Sequence, residues 1–136
     1  MELPWLSRWQ PHLLAILRII VALLFIEHAL IKLFGFPPGG APGQQALGTL
    51  LGVAGIIELV LGVLVLVGLF TRLAAFLASG EMAIAYFMYH APKGFWPAVN
   101  MGEAAILFCF VFLYIAAAGA GAWSIDGARL RNERIR

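Results

Sequence analysis

An all-α, antiparallel bundle of four transmembrane helices with both termini on the cytoplasmic side is the fold the sequence predicts, and three observations predict it. Hydrophobic residues make up 62% of the chain and charged residues 12%, which is far more apolar than an ordinary soluble domain. Four apolar stretches, at about 13–34, 46–70, 73–89 and 100–118, take up most of the 136 residues, and a helix needs roughly 20 residues to cross a bilayer. Proline- and glycine-rich segments or a very short turn separate them, so consecutive helices must run antiparallel. The chain then forms one membrane domain over residues 1–136, ending in a polar tail at 123–136, with no room for a separate soluble catalytic domain.

Met1 to His12 mixes Pro4, Trp5, Arg8, Trp9 and Pro11, a composition suited to the headgroup zone, where indole rings sit with one end wet. The first apolar stretch is longer than the core of a secretory signal, carries internal charges and lacks a small-x-small cleavage site, so it is read as a retained span. Arg18 is expected to snorkel back to the near surface as an anchor. Glu27, His28 and Lys32 follow in the same helix. Such groups are costly in lipid, roughly 2.5 to 3.5 kcal/mol each at the bilayer centre, so they are expected to face other helices. His28 and Lys32 are four apart and neighbours, whereas Glu27 lies about 100 degrees round the helix.

Gly35 to Gln45, rich in proline and glycine, is a loop. In the second helix Gly48, Gly52, Gly55 and Gly62 share a side, with Glu58 at its edge; small residues on one stripe let a neighbouring helix come close. Thr71-Arg72 is a turn, and in the third helix Ala74, Ala78 and Ala85 share a face with Glu81. His90 to Val99 is a second loop, with Trp96 as an interface anchor. The fourth helix starts with Glu103 in its first turn, and Leu107, Phe110 and Tyr114 lie on the glutamate's face.

Arg8, Arg72, Arg129, Arg131, Arg134 and Arg136 collect at one end of such a bundle, and Lys32 and Lys93 at the other. The bias toward cytoplasmic arginine and lysine sets the orientation, in an inner (plasma) membrane. Glu27, His28, Lys32, Glu58, Glu81 and Glu103 are then candidates for one outward-leaning polar cavity, with Tyr114 as a further binding candidate.

These residues resemble the DoxX family of small four-helix membrane proteins. The likeness rests on Glu27-His28-Ala29-Leu30-Ile31-Lys32-Leu33, on Gly55-Ile56-Ile57-Glu58 with Gly62, on Gly68-Leu69-Phe70-Thr71-Arg72, on Gly102-Glu103, and on Gly119 through Asp126. Ala29 stands where the family more often has glycine. The resemblance implies redox work at a membrane: the relatives DoxD and DoxA form a thiosulfate:quinone oxidoreductase, and others resemble membrane partners of soluble redox or detoxifying enzymes.

The leading functional expectation is therefore an accessory subunit of a redox system, at most one subunit of a membrane oxidoreductase. Its partners would be the lipid bilayer, a redox protein and further copies of itself, and its candidate cofactor a quinone. Phe95, Trp96, Phe110 and Tyr114 could flank the ring while Glu81, His28 or Tyr114 handle protons. A small proton-coupled transporter and a non-catalytic anchor or assembly protein are the alternatives. Cys109 is the only cysteine, so a CxxC redox pair is excluded. No metal site is expected, because Glu27 and His28 are adjacent where a carboxylate-bridged site needs Glu-x-x-His. No nucleic acid partner is expected either, since no basic surface interleaved with aromatics is present.

Overall fold

The computed structural model describes residues 3–135, and Arg136 of the tail lies outside them. Among the described residues the regular structure is helical, with no strand: α1 Pro4–Ser7, α2 Gln10–Phe34, α3 Leu50–Val67, α4 Thr71–Ala85, α5 Pro97–Asn100, α6 Glu103–Ala118 and α7 Ile125–Arg134. Two of them, α2 and α3, are long and apolar enough to cross a membrane, and α6 is apolar but shorter.

Local chemistry sets the ends. Helix α2 begins at Gln10 rather than near Leu13, because Pro11 sits in its first turn, where a missing N–H is harmless. It stops at Gly35, whose φ of 67° is left-handed, as a helix C-terminus commonly requires. Helix α3 starts at Leu50, later than expected, because Thr49 caps it by accepting the Gly52 N–H at 3.1 Å. Ala46 folds over that first turn, so that a Cβ on Gly52 would lie 2.1 Å from its carbonyl oxygen. Helix α4 runs on into a π-helical turn, Tyr86–His90, and α6 starts only at Glu103, after Met101 takes a left-handed φ of 60°.

Helix α2 lies mainly on α3 and α4 on α6, with lesser contacts joining α3 to α4 and α2 to α6. One core results, in which Phe25 meets Phe112 edge-on at 4.9 Å and Phe112 stacks on Phe108 at 5.9 Å. The close approach of α2 and α3 depends on two of the expected glycines. A Cβ on Gly62 would lie 2.6 Å from Ile26 Cγ1, and one on Gly55 3.0 Å from Lys32 Cβ. Gly48 falls outside α3 and faces open space. Away from the core, Ile56, Val60, Phe76, Ile84, Leu107 and Phe110 are exposed, an apolar exterior too extensive for an ordinary soluble surface.

Arg18 corrects the expected anchor. It is 0% exposed, and its guanidinium donates to five carbonyls: Nε to Ala120 at 2.9 Å, Nη1 to Val65 at 2.8 Å and Leu66 at 2.5 Å, and Nη2 to Trp123 at 2.8 Å and Ala122 at 3.3 Å. A helix C-terminus leaves its last carbonyls unpaired. The end of α3 and the segment after α6 bring such carbonyls to one place, and a guanidinium's five N–H donors match them. Arg72 does the same for α6, donating to the carbonyls of Ala116, Ala117 and Ala118. Asp126 serves the opposite end of a helix. It accepts the Phe70 and Thr71 amides at 3.0 and 2.9 Å and the Thr71 hydroxyl at 2.7 Å, capping α4. Burial pushes the Asp126 carboxyl up, but the bonds from Thr71 and Phe70 and the charge of Arg129 outweigh it and hold the group below its ordinary 3.8.

Candidate functional site

Lys32 stands in the last turn of α2, and a helical side chain leans toward its helix's N-terminus. Its stem is thereby directed back along α2, and the bare Cα of Gly55 gives it room against α3. The ammonium meets Glu58 in the middle of α3, donating to Oε1 in an ion pair. Glu58 is only 1% exposed. Its second oxygen, Oε2, is buried with no hydrogen-bond partner among the described residues.

Glu81 comes to the same place from α4, within electrostatic reach of Glu58 and then of Lys32. Both of its carboxylate oxygens are buried, and neither has a partner among the described residues. His28, one turn before Lys32, is half-buried and edge-on to Phe108 of α6 at 5.7 Å. Three helices thus supply one ammonium, two carboxylates and an imidazole, and the fourth sets an aromatic ring against the imidazole. The result is an acceptor-rich site: three buried carboxylate oxygens lack a donor, and a buried polar atom without a partner is unusual in a folded protein. Such a site can hold a proton or meet a hydrogen-bond donor.

The other expected residues lie elsewhere. Glu27 is exposed, on a different side of α2 from His28 and Lys32. Glu103, Leu107, Phe110 and Tyr114 do share one face of α6, but that face is exposed, because Ala105, Phe108, Phe112 and Ile115 take the core side. Tyr114 lines a separate groove of about 410 Å³ with Leu3, Leu6, Ser7, Gln10, Leu13, Leu14 and Leu17, near the Arg18 end of the molecule. Among the described residues no set of three His, Cys, Asp or Glu side chains is arranged to hold a metal ion.

Sequence reasoning missed Asn100, which is 1% exposed. Its Nδ2 donates to the Gly94 carbonyl at 2.8 Å and the Tyr86 hydroxyl at 3.3 Å, and its Oδ1 accepts the Gly102 N–H at 2.8 Å. Asn100 ties the π turn that follows α4 to the start of α6, and so steadies the end of α4 beyond Glu81. The Asn-Met-Gly run at 100–102 is the signal that could have found it, since asparagine side chains commonly bond the backbone two residues on.

A family model described as DoxX matches residues 13–91, which takes in most of α2 and all of α3, α4 and the π turn, with Lys32, Glu58 and Glu81. A protein of Haemophilus influenzae, described as an uncharacterized protein, is 48% identical over 125 residues, covering 89% of this chain and 93% of that one. No solved structure matches the chain.

Proposed function

The chain belongs to the DoxX family of membrane proteins, and on that premise we propose that it is an integral accessory subunit of a quinone-linked redox system. In this reading α2, α3, α4 with its π turn, and α6 cross an inner membrane as a four-helix bundle with both termini on the cytoplasmic side. The arginine-rich Arg18 end then faces inward and the Lys32 cluster lies in the outer half. The observation that carries the reading is the buried Lys32–Glu58 pair beside Glu81, whose carboxylate has no partner. An ionisable group inside a membrane domain is a functional candidate by default, and an unpartnered one does nothing to hold the helices together.

A hydroquinone hydroxyl is a donor, a quinone carbonyl an acceptor. The unpaired carboxylate oxygens suit the first and the Lys32 ammonium the second, with His28 at the edge of the cluster as a further proton-handling group. With one cysteine and no dithiol, the chain would depend on a redox protein partner for electrons.

The test is quinone-dependent electron transfer by the complex purified in mild detergent. Glu58→Gln and Glu81→Gln are expected to keep the helical circular dichroism and the co-purifying partner while turnover falls about 100-fold, the scale of a lost acid–base group. Unchanged turnover in both variants overturns the redox reading. Proton-coupled solute uptake by the protein alone in liposomes, lost in Glu81→Gln, would make it a transporter instead.

A further inference from the structure

We propose that Lys32 is a shared counter-ion for Glu58 and Glu81, and that the acid it does not pair with carries a proton, Glu81 in the arrangement observed. The inference rests on the cluster being a proton-handling site, and it names which group holds the proton and what moves it.

The groups that meet at the cluster leave little choice. Helix α2 contributes Lys32 and His28, α3 contributes Glu58 and α4 contributes Glu81. Helix α6 presents the apolar Phe108, while its own acid, Glu103, is exposed. Two carboxylates therefore share one ammonium. That ammonium already serves Glu58 Oε1, and among the described residues no N–H or O–H donor reaches either Glu81 oxygen. A second bare carboxylate charge in such a place is strongly disfavoured, and a neutral acid there costs far less.

Lys32 is also the group built to move. Its ammonium carries three donors on a flexible four-carbon stem, and the ion pair with Glu58 uses one of them. Both acids feel its charge. Exchange follows in one balanced step. The ammonium leaves Glu58 Oε1 for Glu81, Glu81 releases its proton, and Glu58 takes one up. The cluster keeps the same net charge throughout, so no uncompensated charge enters the apolar interior. A proton has passed from the acid on α4 to the acid on α3, and a ligand that gives or takes a proton at the cluster meets whichever acid is unpaired.

Infrared spectroscopy of the isolated protein at neutral pH, with carbon-13 glutamate to identify the band, tests this without any redox partner. The wild type is expected to show one protonated-carboxyl carbonyl band that shifts in heavy water. Glu81→Gln should abolish it. Glu58→Gln should abolish it too, because Lys32 then pairs with Glu81, and Lys32→Met should about double it. Absence of the band from the wild type, or its persistence in Glu81→Gln, overturns the assignment of the proton. Persistence in Glu58→Gln overturns the sharing of Lys32, and this variant keeps the proposal open to refutation even if Lys32→Met fails to fold. Loss of quinone turnover with no such band would leave the redox reading standing and this one refuted.

Discussion

The two ends of the packed helices each bury a charge among apolar side chains and treat it in opposite ways. At one end Arg18 is enclosed and supplied with five carbonyl acceptors, and Asp126 accepts three bonds from Phe70 and Thr71. At the other, Lys32 meets Glu58, and three carboxylate oxygens of Glu58 and Glu81 are left without a donor. A saturated buried charge is a structural joint, since its removal orphans every group it served. A buried group without any partner, as Glu81 is among the described residues, adds nothing to the joint.

The largest effect that could break this contrast is at Arg18. Arg18→Leu should destabilise the protein by at least about 3 kcal/mol, as several buried carbonyls lose their donors at once, seen as a lower thermal unfolding midpoint in detergent. Arg18→Lys should recover little of that, because one ammonium cannot reproduce the guanidinium's spread of donors. An unchanged midpoint for Arg18→Leu would put Arg18 on a par with a surface anchor.

Asp126 comes next. Asp126→Ala should cost about 0.5–2 kcal/mol, the range for a lost helix N-cap. Because the folded carboxyl is held below its ordinary 3.8, the stability it contributes is fully present above that value and declines as pH falls through the lower, folded one. Unfolding followed at pH values below about 4 should therefore show a loss in the wild type that is reduced in Asp126→Asn. Equal acid sensitivity in the two proteins would count against the cap.

The smallest effect should be at the other end. Glu81→Gln removes no hydrogen bond and keeps the side chain's shape, so its midpoint should match the wild type to within about 0.5 kcal/mol. A drop comparable to that of Asp126→Ala would mean that Glu81 is itself a joint and would erase the distinction drawn between the two ends.

Much of this was legible without coordinates. Composition and the spacing of apolar stretches place α2, α3, α4 and α6 to within a few residues. Helical periodicity separates Glu27 from His28 and Lys32 and groups Glu103 with Tyr114. The shifts at helix starts have local causes: Pro11 in the first turn of α2, the Thr49 cap on α3 and the left-handed Met101 before α6. The reading failed where a side chain's partner was far away in sequence. The acceptors of Arg18 lie between 47 and 105 positions along the chain, and no wheel drawn on α2 could supply them.

A helical wheel says which residues share a face, and the sequence by itself determined that much for Glu58, Glu81, Glu103 and Tyr114. The stripes of small residues also point Glu58 and Glu81 toward the helix contacts, and only the tertiary structure decided which face α6 turns inward. On α6 the volume of Phe108 and Phe112 is packed against Phe25, which leaves Glu103 and Tyr114 outside. On α3 and α4 the small residues Gly55, Gly62, Ala74 and Ala78 turn toward their neighbours and carry Glu58 and Glu81 in with them. The physical reason is that periodicity is a property of one helix, whereas burial depends on how the side chains of several helices fill a common space.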